Sequence, residues 1–210
     1  MSGEGDSKLD ASNAAQRRTL TWVFAINLAQ ALIVGVVGMM ADSTGLMGAA
    51  LDNLADGLVY AVSIYAVGRS IVAKARAARL SGFFLVALAA GLLVEVLRRF
   101  VAGGEPAGIV MIIAAMANAA TNLFCLRLLR SHRQAGVHLQ ASWIFTTNDM
   151  FANVGIAISG AAVIVFNSPL PDLLIGLVVV CIAFKGGWEI LEQARDAGRS
   201  DDSVTQQEKL

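Results

Sequence analysis

The chain has few charged residues. Lys, Arg, Asp and Glu make up 15% of its 210 residues, whereas an average soluble domain is about one quarter charged. A soluble protein with so few charges could not cover its surface with them. The 16 basic and 16 acidic side chains also balance, so there is no basic excess of the kind that binds nucleic acid. The composition therefore argues against a soluble domain and against a nucleic-acid partner.

Cysteine is also scarce. Cys125 and Cys181 lie in different apolar segments, and neither has a partner at the spacing of a metal or redox motif. We expect both to be small buried residues. A cleavable signal peptide is not visible either, because the first apolar segment follows a polar head and is long enough to remain as a membrane anchor.

The chain is rich instead in long apolar stretches, with 56% hydrophobic residues and a mean hydropathy of +0.64. Six stretches have the length of a membrane-spanning helix. They cover residues 20–40, 44–67, 80–101, 109–129, 141–165 and 170–191. The pattern predicts an all-α membrane protein whose six transmembrane helices form a bundle over residues 17–195. Residues 1–16 are predicted to be a disordered polar segment, and residues 196–210 a short polar tail.

The basic residues predict the orientation of these helices. If the helices alternate in direction, nearly all Lys and Arg residues outside the apolar stretches fall on one side, and only Arg98 and Arg99 lie near the other. The side with more Lys and Arg faces the cytoplasm. We therefore expect both termini in the cytoplasm and the protein in the inner (plasma) membrane of the cell.

Two acidic residues interrupt the second apolar stretch. A carboxylate near the middle of a spanning helix costs roughly 2.5–3.5 kcal/mol on insertion scales. Asp52 and Asp56 are four residues apart, so they lie on one helical face and repel each other when both are ionised. A passing cation is the simplest counter-ion for such a pair.

The fifth stretch repeats this pattern. Asp149-Met-Phe-Ala-Asn153 has the form of Asp52-Asn-Leu-Ala-Asp56, with both polar ends on one helical face. Where the two helices meet, their oxygen atoms would hold a divalent cation near the membrane midplane. The alternative is that the aspartates are protonated and join neighbouring helices by hydrogen bonds. Asparagine is also common in hydrogen bonds between membrane helices.

Together these features resemble the cation diffusion facilitator family over most of the chain. Four stretches support the resemblance, in the family's order and spacing. They are Leu51-Asp-Asn-Leu-Ala-Asp-Gly57, Glu95-Val-Leu-Arg-Arg-Phe100 with Gly104-Glu-Pro106, Asn148-Asp-Met-Phe-Ala-Asn153, and Pro171-Asp-Leu-Leu-Ile-Gly-Leu177 with Gly187-Trp-Glu-Ile-Leu191.

The resemblance implies a homodimeric exporter in the lipid bilayer that exchanges a divalent metal ion for protons, with no separate cofactor. By this resemblance, Asp52, Asp56 and Asp149 are three of the four ligands of the family's ion site. The family's fourth ligand is His or Asp, whereas this chain has Phe145 there. Asn153, Asn53 or a water would complete the shell, and Asn153 is the predicted fourth residue of the metal site. Oxygen ligands alone favour iron, manganese, cobalt or magnesium over zinc.

Related proteins usually continue into a cytoplasmic metal-sensing domain, whereas this sequence stops after the sixth stretch. A short variant is therefore expected, with dimerisation through the membrane helices. The gap at Phe145 also leaves open a non-transporting or regulatory membrane subunit, or a degenerate metal sensor of the same fold. Enzymatic activity is not expected, because Asp56-Gly57 lacks the Ala-Arg and the later Asp-x-x-x-Asp of membrane phosphatidyltransferases.

Overall fold

Six α-helices make up the fold of the computed structural model. They are α1 (Gly3–Met40), α2 (Thr44–Ala66), α3 (Ile71–Ala102), α4 (Gly108–Arg130), α5 (Val137–Phe166) and α6 (Leu170–Gln207). The structure describes the backbone of residues 3–66, 71–130 and 137–207, and the side chains of residues 17–62, 64–65, 76–128, 149–192 and 194–195. The all-α prediction is confirmed. Each helix contains one predicted apolar stretch, except that α2 ends one residue before its stretch does.

Five of the helices are long and apolar enough to cross a membrane. Their apolar parts are Arg17–Met40, Arg76–Ala102, Gly108–Leu128, Asp149–Phe166 and Leu170–Glu192. Large hydrophobic side chains such as Leu32, Phe83 and Val165 are exposed on the outside of the bundle, where lipid would cover them. The chain is therefore a multi-pass membrane protein. Helix α2, which contains Asp52, Asn53 and Asp56, is not one of these five, so its membrane span stays a prediction.

Two helices extend beyond their apolar parts. Helix α1 begins at Gly3, inside the segment predicted to be disordered, and for residues 3–16 the structure describes the backbone alone. Helix α6 continues through the predicted tail to Gln207. Cys125 is buried as expected, but the same expectation was wrong for Cys181, which is exposed. Cys181 lies on the apolar outer face of α6, next to the exposed Ile182, where a weakly polar thiol is tolerated.

A tight turn reverses the chain between α1 and α2. The Ser43 amide donates to Gly38 O at 2.9 Å and the Asp42 amide to Met39 O at 3.3 Å, which is the Schellman pattern that ends a helix. Asp42 occupies the left-handed position of this motif, with φ 51°, a conformation that Asp tolerates better than most residues. Ser43 Oγ then accepts the Leu46 amide at 3.1 Å, and so caps the start of α2.

The start of α2 is joined to the start of α6 by Asp172. This carboxylate accepts the Ser43 hydroxyl and the Thr44 amide, each at 2.6 Å, and the Gly45 amide at 3.0 Å. A negative charge at a helix N-terminus is favourable, since the exposed amides and the helix dipole both attract it. Glycine permits this close approach, because a Cβ on Gly176 would lie 2.5 Å from Thr44 Oγ1. Asp172 therefore holds the helix that contains Asp52 and Asp56.

Helices α4 and α5 also approach each other closely. A Cβ on Gly108 would lie 2.5 Å from the Gly160 carbonyl oxygen, and one on Gly160 would lie 2.8 Å from the Gly108 oxygen. Small residues at such a crossing let two membrane helices pack backbone against backbone. This packing brings Asn118 of α4 against Asn153 of α5.

Candidate cation site

Three acidic side chains of α2 and α5 meet inside the bundle. Asp56 is buried, with 6% of its surface exposed, and Asp52 and Asp149 are half-buried. The carboxyl groups of Asp56 and Asp149 lie within hydrogen-bonding reach of each other, and Asp52 is close enough to interact electrostatically with both. The structure thus places the three carboxylates that the sequence singled out in one region of the bundle, with Asp56 and Asp149 in hydrogen-bonding reach of each other.

No basic side chain within the described part of the chain forms an ion pair with these carboxylates. Among the side chains that the structure describes, the ion pairs all involve other carboxylates, namely Asp42, Glu95 and Glu189. One oxygen of Asp56 and one of Asp149 are buried and make no hydrogen bond. Buried carboxylates without partners are costly in a membrane interior. Either a proton or a cation would lower this cost.

In this arrangement the described acidic side chains do not form a complete metal site. Within the described residues, no three His, Cys, Asp or Glu side chains are close enough together to hold one metal ion. A cation here would therefore contact at most two of the three carboxylates, and it would need further oxygen ligands or a small movement of the helices. Phe145, at the fourth family position, lies in the part of α5 whose side chains the structure does not describe.

Asn153, the predicted substitute ligand, is already engaged by other groups. Its Nδ2 donates to the Asp149 carbonyl oxygen at 2.8 Å, and its Oδ1 accepts from Asn118 Nδ2 at 3.0 Å. The side chain is 2% exposed. Asn118 therefore takes one of the two lone pairs of the Asn153 oxygen.

A cluster of buried amides lies beside the carboxylates, and the sequence indicated it only in part. Asn118 Oδ1 accepts from Asn53 of α2 at 3.1 Å and from Gln30 of α1. Gln30 also donates to Asn122 Oδ1 at 3.1 Å. We define the amide cluster as Gln30, Asn53, Asn118, Asn122 and Asn153. Sequence reasoning did not single out Gln30, although its place in the first apolar stretch, three residues after Asn27, is a signal of the same kind.

Several polar atoms in and next to this cluster have no partner. The carbonyl oxygens of Asn27, Gln30 and Asn53 are buried without a hydrogen bond, and so is Asn122 Nδ2. Buried polar atoms are normally satisfied by protein groups or by ordered water. The interior of the bundle therefore has side-chain oxygens that can accept a further partner.

We define the outer end of the bundle, by the orientation that the sequence predicts, as the end with the turn between α1 and α2. Its charges form a separate set, and they are paired. Arg99 contacts Asp42 at 2.9 Å and Glu95 at 2.7 Å, and Arg98 contacts Glu95 at 2.7 Å. The Glu105 amide also donates to Asp42 Oδ2 at 2.8 Å. Glu95 is thus shared between Arg98 and Arg99. These contacts join the turn between α1 and α2 to α3 and to the loop that follows it.

Comparison with known proteins gives two findings. The family model described as the cation efflux transmembrane domain matches residues 20–197. The zinc transporter ZitB of Pectobacterium atrosepticum is 22% identical in an alignment 197 residues long; the match covers 87% of this chain and 61% of that protein. The chain thus spans about three fifths of the length of this relative.

Proposed function

The chain belongs to the cation efflux family, and from this premise we propose that it exports a divalent metal cation across the plasma membrane. The family is one of transporters, not of enzymes. The matching relative is by its name a zinc transporter, which supports a divalent metal ion as the cargo. The donor set of this chain consists of oxygen atoms, so we propose iron, manganese, cobalt or magnesium ahead of zinc.

The meeting of Asp52, Asp56 and Asp149 without a basic partner is the observation on which the proposal rests. Buried carboxylates need a positive charge, and none of the described basic side chains pairs with them. A divalent cation bound between α2 and α5 would supply that charge. Asn153 is the further ligand that the sequence pattern suggests, and it would bind through the lone pair that Asn118 does not use.

Exchange with protons follows from the same chemistry. A carboxylate can be neutralised by a proton or by a metal ion, but the two compete for its oxygen atoms. A cation that enters from the cytoplasm displaces protons from the site, and protons arriving from the outer side displace the cation. Two protons for each divalent ion would leave the charge of the site unchanged. We propose this antiport in a homodimer whose termini lie in the cytoplasm.

The test is metal-driven proton flux in proteoliposomes. The purified chain is reconstituted with a pH-sensitive dye inside, and a panel of divalent salts is added outside. We expect a flux with at least one metal, and its loss in Asp52→Asn, Asp56→Asn and Asp149→Asn. Asp42→Asn is the matched control, because Asp42 is a paired carboxylate at the outer end of the bundle. Full flux in all three site variants would refute the proposal.

A second candidate is a metal-binding membrane subunit that does not transport. It is favoured by one observation, namely that no three described acidic, histidine or cysteine side chains are close enough to enclose an ion. This candidate predicts that the protein binds a divalent metal through Asp56 and Asp149 but produces no flux in vesicles. Binding measurements on the same preparations separate it from export.

A further inference from the structure

Asn118 occupies a central position in the amide cluster. It is 3% exposed and lies on α4, which contains none of the predicted ligands. Its side chain contacts Gln30 of α1, Asn53 of α2 and Asn153 of α5. Asn118 thus joins the two helices that contain the acidic residues through hydrogen bonds to residues next to those acids.

The hydrogen bonds of Asn118 determine which way the Asn53 amide faces. Asn118 Nδ2 donates to Asn153 Oδ1, so Asn118 Oδ1 remains as the acceptor for Asn53 Nδ2. The amide nitrogen of Asn53 is therefore held, and its carbonyl oxygen is left without a donor. Asn53 is fully buried, so bulk water does not satisfy this oxygen.

The free oxygen of Asn53 belongs to the same helical turn as two acidic residues. Asn53 directly follows Asp52 and precedes Asp56 by three residues. At about 100° per residue, its position on α2 is about 60° from that of Asp56. A buried carbonyl oxygen beside carboxylates is a suitable ligand for a hard divalent cation. By contrast, the carbonyl oxygen of Asn153 already accepts a hydrogen bond.

We propose that Asn53 supplies a further ligand to the transported cation through its side-chain oxygen, and that Asn118 is the positioning residue that keeps this oxygen free. The inference rests on the proposed function, since it assumes that Asp52, Asp56 and Asp149 hold a cation. Asn53 would thus supply the fourth ligand that Phe145, which has no donor atom in its side chain, cannot supply. The oxygen ligand makes the site more selective for manganese or cobalt over cadmium, which prefers softer ligands.

The experiment measures metal binding to the purified full-length chain in detergent by titration calorimetry, with Mn²⁺, Co²⁺ and Cd²⁺ as separate probes. Asn53→Leu removes the proposed ligand, and Asn118→Leu removes the group that orients it. Asn122→Leu is the matched control, because Asn122 is a comparably buried amide of α4 that accepts a hydrogen bond from Gln30 and not from Asn53. Loss of a ligand or of its orienting partner typically lowers metal affinity about 10–100-fold.

We expect Asn53→Leu and Asn118→Leu to weaken Mn²⁺ and Co²⁺ binding at least about tenfold, and Cd²⁺ binding less. Asn122→Leu should leave all three within about twofold of the unmodified chain, and Asn53→Asp should restore binding because it keeps an oxygen at the same place. Unchanged Mn²⁺ and Co²⁺ affinity in Asn53→Leu overturns the inference. An equal loss in Asn122→Leu also overturns it, since the effect would then come from removing any buried amide.

Two further measurements keep the outcome decisive. If Asn53→Leu does not fold, as judged by gel filtration and circular dichroism, the smaller change Asn53→Ala, which also removes the oxygen, is tested against the same criteria. Asp56→Asn is measured in parallel. Binding that depends on Asp56 but not on Asn53 overturns this inference alone, whereas binding that depends on neither overturns the proposed function as well.

Discussion

Acidic residues at the outer end of the bundle have hydrogen-bond or ion-pair partners, whereas two of those in the interior have buried oxygens without partners. At the outer end, Asp42 and Glu95 pair with arginines, and the Asp172 carboxylate accepts from two amides and two hydroxyls. In the interior, Asp56 and Asp149 face each other and each has a buried oxygen without a partner. Satisfied acids stabilise the fold, whereas unsatisfied acids lower stability unless something binds them. The comparison therefore separates structural carboxylates from those available to a cargo ion.

Asp172 shows that burial alone does not indicate a binding site. It is 1% exposed, which makes it more buried than Asp56 at 6%. Its oxygens are nevertheless taken by donors of the α2 N-terminus, so no ligand is required there. The number of donors around a carboxylate, and not its depth, distinguishes the two regions.

The largest effect on stability is expected at Asp172. In Asp172→Ala the buried amides of Thr44 and Gly45 lose their acceptor, and α2 separates from α6 at its start. Loss of a cap together with unsatisfied buried donors should lower the free energy of unfolding by about 2–4 kcal/mol. Thermal unfolding in detergent measures this loss. A melting temperature equal to that of the unmodified chain would show that the cap contributes little.

The second-largest expected effect is the rise in the free energy of unfolding when a divalent cation binds. A divalent cation at about 100 times its dissociation constant should raise the free energy of unfolding by about 2.7 kcal/mol, because it binds only the folded chain. Asp56→Asn should abolish this increase, and should be no less stable than the unmodified chain without metal because it removes one of two adjacent carboxylates. Asp42→Asn should retain the increase. Metal stabilisation that persists in Asp56→Asn would place the ion elsewhere.

Replacing Arg99 is expected to lower the free energy of unfolding by a smaller amount. Arg99 is buried and contacts both Asp42 and Glu95, so Arg99→Met leaves two partly exposed carboxylates without this partner. Because water still reaches Asp42 and Glu95, we expect a loss of about 1–2 kcal/mol, less than for a fully buried pair. Thermal unfolding measures it, and metal binding should not change. A change in metal affinity would mean that the outer end and the interior are coupled.

The smallest effect is expected at Arg98. This side chain is 59% exposed and contacts Glu95 alone, and exposed ion pairs contribute little to stability. Arg98→Ala should therefore leave both the melting temperature and the metal affinity within the error of measurement. A clear loss of stability would indicate that the pairing of Glu95 needs both arginines.

The sequence predicted the helices well because their signal is local. The second stretch was expected over residues 44–67, and α2 covers Thr44–Ala66. The spacing of Asp52 and Asp56 also predicted a shared helical face. The contacts of Gln30 and Asp172 could not be predicted in this way, since they join residues 88 to 129 positions apart. No repeat or spacing in the chain indicates which distant side chains will meet.

Hydrophobic length and charge thus determined by themselves that this chain forms membrane helices, and the order of its motifs indicated the family. Tertiary structure alone decided which polar groups are satisfied. Asn53 and Asn153 have the same side chain, and each lies in a helix that also contains acidic residues of the candidate site. Packing against Asn118 leaves one oxygen free and occupies the other. The reason is physical, because a hydrogen bond depends on the distance and direction between two atoms, and the fold alone determines both.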